Sequence, residues 1–284
     1  MKIAVIGASG FIGQNLVEYF FNTELKIIPV YFTHEVKYPN AIKYDDFINK
    51  CKEVDVVVFT AGNSNHYVTD EILYEIIQKD TFYIQEVLHR VKASKAIMMS
   101  SAAVYYGYEG QVDEEVCPRP TVNYGISKRI AEMLFEKEVK NGKIKAVVLR
   151  LTHAFGEGER KTRLFRNIAR AVINKEPLKL HGTGESYINP IPIEFVCRAV
   201  KHFVENDVPS EVEYYNIGSM EPVKVREIVE GLMKIFDFQY IFEGEESQPV
   251  SFVTKVDKLA RIGLIHSDMF GSVSEYVRKL IEES

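Results

Sequence analysis

The chain has 284 residues, 46% apolar and 26% charged, with 17 Gly and 10 Pro. That composition is globular and excludes disordered, collagen-like and low-complexity chains, while the length admits about two domains, or one large α/β domain with a smaller attachment. A net charge of −5, from 35 basic and 40 acidic residues with no basic block, lacks the electrostatic footprint of a nucleic-acid binder.

Three cysteines, Cys51, Cys117 and Cys197, stand at no CxxC or CxxH spacing, which argues against a disulfide framework and against a metal site. They read as reduced thiols of a cytoplasmic protein, mostly buried. No run approaches the roughly 18 apolar residues of a membrane span, and the apolar start of the chain is too short for a signal peptide. Neither a membrane nor a secreted location is expected.

Through the first half, short β-branched runs alternate with amphipathic stretches, the pattern of a parallel sheet with crossover helices. Residues 3–6 read as a buried strand, 11–21 as a helix, 26–31 as a strand and 45–52 as a short helix. Residues 55–59, nearly all valine, form the next strand. A long helix over 70–91 precedes strand 95–99, helix 123–140 and strand 144–149. These strands are apolar on both faces, as strands covered by helices on both sides must be. Beyond Arg150 the rhythm loosens. Helices are expected at 162–174, 193–205, 224–236 and 272–281, short strands near 178–180 and 213–217, and surface loops at 182–185 and 242–248. No internal repeat is present, so the second half reads as a small mixed α/β cap.

Gly7-Ala8-Ser9-Gly10-Phe11-Ile12-Gly13 follows the first strand and opens the first helix. Glycines there let the backbone turn tightly and approach a pyrophosphate, whose charge sits on the positive end of the helix. Three glycines alone are a weak signal; strand before and helix after make this one specific. An acidic residue that would meet an adenosine ribose is missing at the end of the second strand, where Val30-Tyr31-Phe32-Thr33-His34 stands and the first carboxylate is Glu35. Nothing there repels a 2′-phosphate, and Thr33, His34 and Lys37 are able to bond one. The sequence therefore leaves NADP at least as open as NAD.

Tyr124-Gly-Ile-Ser-Lys128 places a phenol and an ammonium on one helix face. A nearby cation makes a tyrosine usable as an acid or base near neutral pH. With 16 Tyr in the chain, a Tyr-x3-Lys pair arises about once by chance, so its weight comes from position. It opens the helix after a strand ending in Ser100-Ser101, at the carboxyl edge where open α/β sheets bind ligands. A hydroxyl there donates to a carbonyl oxygen and holds it against Tyr124; the bland alternative is a pair of serines capping a turn.

Taken in order, Gly7/Gly10/Gly13, the Asp55 to Phe59 strand leading to Ala61-Gly62, Ser100-Ser101-Ala-Ala-Val-Tyr105, Pro118-Arg119-Pro120 before Tyr124-x3-Lys128, and Leu149-Arg150 before Phe155-Gly156 resemble the extended short-chain dehydrogenase/reductase family. The resemblance implies a Rossmann-type doubly wound parallel sheet with a smaller mixed α/β C-terminal substrate domain. Residues 1–155 would bind the dinucleotide, rejoined by about 185–218, and 156–284 would mainly bind substrate. It also implies Tyr124 as acid/base, Ser101 as the group orienting the substrate oxygen, and Lys128 on the nicotinamide ribose. Cofactor contacts would fall on Gly7, Ser9, Gly10, Phe11, Ile12, Gly13, Thr33, His34, Ala61 and Gly62. Substrate contacts would fall on Ser101, Ala102, Tyr124 and His153.

Departures from the family pattern narrow the chemistry. Ala102-Ala103 replace the Asp-Glu of its dehydratases, which disfavours water elimination and leaves an epimerase or a reductase. His153 replaces an Asn, and Ile188-Asn189 replace an Arg-Asp pair, so a diphosphate-binding Arg is missing. Arg160, Lys161, Arg163, Arg166 and Arg170 are candidates to replace it, although most read as a solvated helix face. The expected substrate is a small molecule, a sugar nucleotide, and the expected assembly a homodimer through helices 70–91 and 123–140. Alternatives are a dehydrogenase of a non-nucleotide carbonyl compound and a non-catalytic dinucleotide sensor or scaffold.

Overall fold

The computed structural model describes residues 1–244 and 249–284. Its first half runs β1 (Lys2–Ile6), α1 (Phe11–Phe21), β2 (Lys26–Tyr31), β3 (Ile42–Lys43), α2 (Tyr44–Lys50), β4 (Val56–Phe59), α3 (Asp70–Arg90), β5 (Lys95–Ser101), β6 (Gly110–Val112), α4 (Asn123–Gly142) and β7 (Lys145–Leu151). There follow β8 (His153–Phe155), α5 (Leu164–Asn174), β9 (Leu178–His181), β10 (Tyr187–Ile188), β11 (Pro190–Pro192), α6 (Ile193–Glu205) and β12 (Val212–Ile217). Seven strands make one parallel sheet in the order β12-β7-β5-β4-β1-β2-β3. Strand order reverses between β1 and β4, the point where such sheets open a crevice at their carboxyl ends.

Alternation along each strand divides the core between two faces. Ile3 and Val5 of β1 pack with Leu16 and Phe20 of α1 and with Val196 and Val200 of α6. Ala4 and Ile6 pack on the other face with Ile84 and Val87 of α3 and Ala131 and Phe135 of α4. All four residues of β4 are buried, as the valine run required.

A buried polar network fixes α4 to the sheet. Arg150 of β7 makes two hydrogen bonds to Glu132 of α4, at 3.0 and 2.9 Å, and Ser100 donates to the same carboxylate at 2.6 Å. Tyr105 hydroxyl accepts from Arg150 at 2.6 Å and meets Asn216 Oδ1 of β12 at 3.1 Å. Lys95 is a charge in an apolar strand. Its ammonium is buried against carbonyls at the C-terminal end of α6, that of Phe203 at 2.9 Å and that of Asn206, the residue just beyond the helix, at 2.7 Å, where a helix end favours a cation.

The remaining elements are β13 (Val223–Lys224), α7 (Val225–Met233), β14 (Tyr240–Glu243), β15 (Phe252–Thr254), α8 (Asp257–Arg261) and α9 (Met269–Glu282). Phe155, Phe165, Ile168, Ile228, Leu232, Val273 and Val277 form a separate core among α5, α7 and α9. Of the expected loop 242–248, Phe242 and Glu243 instead belong to β14, paired in parallel with β9, and 245–248 lie outside the described residues. The cysteines also differ from expectation: all three are free, but only Cys197 is buried, while Cys51 is half-buried and Cys117 exposed. Cys51 follows α2 and only borders the core beneath it, and Cys117 lies on the connection before α4. Among the described residues no helix is long and apolar enough to cross a membrane.

Candidate active site

The turn from β1 into α1 is built by close approach. Gly7 has φ +95°, and a Cβ on Gly13 would lie 2.2 Å from the Gly7 carbonyl oxygen. Gly7, Gly13 and Ala61 are thus packing positions beneath the loop, while Gly10, Phe11 and Ile12 face a cleft. No side chain caps the N-terminus of α1, and its first turn carries no acid. Its first amides and dipole are left for an anion, which a dinucleotide pyrophosphate fits. Thr33 and His34 are exposed beyond β2 and do not line the cleft. Ser9 is half-buried; its carbonyl accepts from Gln14 at 3.0 Å.

The cleft has a volume of about 200 Å³ and gathers Gly62, Ser101, Ala102, Tyr124 and His153 with the glycine loop. The two serines part company here. Ser100 is committed to Glu132, whereas Ser101 both lines the cleft and caps the 3-10 turn Ala102–Tyr105, its oxygen accepting from the Ala103 amide at 3.1 Å. The Ser101 hydroxyl hydrogen remains available to a ligand. Gly125 brings α4 against that turn: a Cβ there would come within 2.3 Å of the Ala103 carbonyl oxygen. Tyr124, one residue earlier, is therefore held beside Ser101. Lys128 lies one turn further, its Nζ 5.5 Å from the centre of the Tyr124 ring.

Three partners of this arrangement are absent from the motif. Asp80 of α3 binds Lys128 at 3.1 Å, with both side chains buried, and accepts from the Asn63 amide at 3.0 Å. A signal existed: Asp80 shares the buried stripe of α3 with Ile84 and Val87, a polar residue at an apolar position. His66, four residues past Gly62 in the loop after β4, packs on Tyr124 with ring centres 4.3 Å apart and planes tilted by 36°. Thr254 of β15 lines the cleft with its hydroxyl buried and without a partner among the described residues. Nothing local marked the last two.

His153 accepts from the Asn189 amide through Nδ1, at 3.4 Å. That contact puts the proton of the neutral ring on Nε2, so the side chain is a donor. Burial, then repulsion from His66 and Arg163, brings its pKa down to about 3. It is therefore a neutral hydrogen-bond donor at physiological pH rather than an acid or base. His66 is likewise held below the ordinary imidazole range, by loss of water around the ring and then by Arg163, Arg160 and Lys128. The rest of the wall, Tyr106, Tyr187, Ile188, Pro222, Val250, Phe252 and Val253, is mostly apolar.

A doubly wound parallel sheet with Ser101, Tyr124 and Lys128 at its carboxyl edge defines a short-chain dehydrogenase/reductase of the extended type. The family described as NAD dependent epimerase/dehydratase matches residues 3–218, and the chain belongs to that family. Solved structures of similar fold include MoeE5 in complex with UDP-glucose and NAD, 19% identical with TM-score 0.87 over 100% of this chain and 99% of that one. The UDP-glucuronic acid 4-epimerase from Bacillus cereus in complex with NAD is 21% identical, with TM-score 0.84 over 100% and 98%. Among curated proteins, the chain is 27% identical to a decarboxylating sterol-4-alpha-carboxylate 3-dehydrogenase of Candida albicans, over 56% of this chain and 52% of that protein. It is 26% identical to a dTDP-4-dehydro-6-deoxyglucose reductase of Escherichia coli, over 50% and 46%. The chain thus spans about half the length of the curated relatives it matches.

Proposed function

We propose that this protein is an NAD(P)-dependent epimerase or reductase acting at a carbinol or ketone carbon of a nucleotide-activated sugar. The observation that carries the reading is the meeting of Ser101 and Tyr124 in the cleft reached by the uncapped end of α1, with Lys128 behind the phenol. In this reading residues 1–155, rejoined by 185–218, hold the dinucleotide, and 156–284 mainly the substrate. Bound nicotinamide supplies hydride acceptance and return. Ser101 donates to the substrate oxygen and holds it against Tyr124, Tyr124 exchanges the hydroxyl proton with that oxygen, and Lys128 binds the ribose and favours the phenolate form during transfer. Ala102 and Ala103 offer no further proton carrier, which accords with transfer at one carbon and not with water elimination.

The cofactor-selecting end of β2 carries no carboxylate before Glu35, and Thr33, His34 and Lys37 are exposed there, which supports NADP alongside NAD. Dinucleotide released on denaturation, together with titration by NADH and NADPH, tests the reading. Retained NAD supports an epimerase that recycles its cofactor; an empty protein preferring NADPH supports a keto-sugar reductase. Binding of neither overturns both.

One observation favours a second reading. The largely apolar cleft wall, together with the likeness to a sterol dehydrogenase, supports a non-nucleotide carbonyl substrate. For assembly we propose a homodimer through α3 and α4, which leave Tyr74 70%, Phe82 55% and Met133 56% exposed.

A further inference from the structure

Arg163 stands at the start of α5, and its side chain lines the cleft. Its cationic neighbours are occupied. Arg160 donates to Ser64 at 2.8 Å, Arg170 to the Lys161 carbonyl and to Asn167, and Lys128 is paired with Asp80. Arg166 approaches Glu159 at 3.9 Å. Among the described residues the Arg163 guanidinium has neither a hydrogen bond nor an ion pair; Glu159 acts on it only at longer range. No Asp or Glu lines the cleft. His66 and the His153 ring, with its proton on Nε2, both feel the charge of Arg163, and the unpartnered Thr254 hydroxyl lines the same cleft. The wall therefore offers Arg163 no carboxylate partner, and a planar guanidinium fork is the natural partner of one.

We propose that Arg163, with His66 and His153, forms an anion subsite beside Tyr124 that takes a carboxylate carried on the reacting sugar. The substrate is then an acidic, uronate-type nucleotide sugar rather than a neutral one, an inference that rests on the nucleotide-sugar reading above. His66 ties the subsite to the reaction centre, since its ring packs at a tilt against the phenol ring and feels the charge of Arg163. That placement favours a carboxylate on the reacting ring over the diphosphate.

His66 faces Tyr124 and Lys128 of α4, Arg160 and Arg163 before α5, and His153 of β8. The charges of Arg163, Arg160 and Lys128, which act on the ring after desolvation, are the part that a bound carboxylate offsets. A carboxylate on Arg163 cancels repulsion and draws a proton onto His66, so binding takes up protons and strengthens as pH falls towards the imidazole range.

Calorimetric titration of the cofactor-loaded protein with UDP-glucuronic acid and UDP-glucose, in buffers of different ionisation enthalpy, tests this. The glucuronate is expected to bind at least about tenfold tighter, with proton uptake. Arg163→Gln should abolish that advantage, and His66→Asn the proton uptake. Equal binding of both sugars, weakened equally by Arg163→Gln, assigns the guanidinium to the diphosphate and overturns the proposal while the nucleotide-sugar reading stands. Weakened NADH binding in Arg163→Gln assigns it to the cofactor and also overturns the proposal. If neither UDP-sugar binds, the UDP form of the nucleotide-sugar reading falls. Free glucuronate against glucose then reads the subsite alone, with Arg163-dependent glucuronate binding sustaining it and equal or absent binding overturning it.

Discussion

Tyr124 owes its position to the missing side chain of its neighbour, because only glycine at 125 lets α4 approach the Ala103 carbonyl. Tyr124→Phe removes one hydroxyl and leaves the ring against His66, so its expected effect is on chemistry. Turnover should fall by roughly 10²–10⁴ while NADH binding, followed by fluorescence, stays within a few fold. Asp80 gives a different outcome. Asp80→Ala strands a buried ammonium, and the expected loss is about 3 kcal/mol in urea denaturation, partly recovered when Lys128→Met is added. The contrast shows which residues can be read from sequence. Tyr124 and Lys128 share a helix turn, and the glycine loop is continuous in the chain, so local spacing reveals both. His66 and Asp80 reach the site from a loop and a helix whose partner is α4, far along the chain. Only a polar residue in an apolar stripe hinted at Asp80.

Strands β1, β4, β5 and β7 of the central sheet were legible because strands covered on both faces are nearly unbroken apolar runs. The two-residue strands β3, β10 and β13 carry no periodicity and exist through their neighbours. The end of β14, Phe242-Glu243 before Gly244, is half apolar and half polar, which resembled a loop. Between β8 and α5 lies Glu159, buried near Arg166 and Tyr276, so that the joint between sheet and C-terminal helices contains a titrating group. Burial pushes its carboxyl up to about 7, against the pull of Tyr276, Arg166 and Arg163. The folded chain then holds this proton more tightly than the unfolded chain, whose reference is 4.5. Its stabilisation is present below that reference and is lost as pH rises through about 7, amounting to no more than about 3 kcal/mol. Glu159→Gln, permanently neutral, should flatten this slope and be more stable than the parent at pH 8, as read by urea midpoints at pH 5 and pH 8.

For the whole molecule, α3 and α4 pack together on one side of the sheet and turn Tyr74, Phe82 and Met133 outward. If a second copy covers them, Phe82→Arg with Met133→Arg should convert a dimer to a monomer in sedimentation velocity without lowering the melting temperature of the monomer by more than a few degrees. On the opposite flank of the cleft, β6 and β15 pair over three residues, and β15 supplies Phe252, Val253 and Thr254 to the wall. Outside that short ladder, the Gly110 amide bonds to Ser251 and the Lys255 amide to Val112, at 2.9 and 2.7 Å. With so few backbone bonds, and although Val112 and Phe252 are buried, this ribbon is expected to open at lower free energy than the seven-stranded sheet behind it. Hydrogen exchange at Gly110 and Lys255 should therefore be fast in the free protein and slow when the cleft is filled, which makes these two amides a clock for how long a ligand stays.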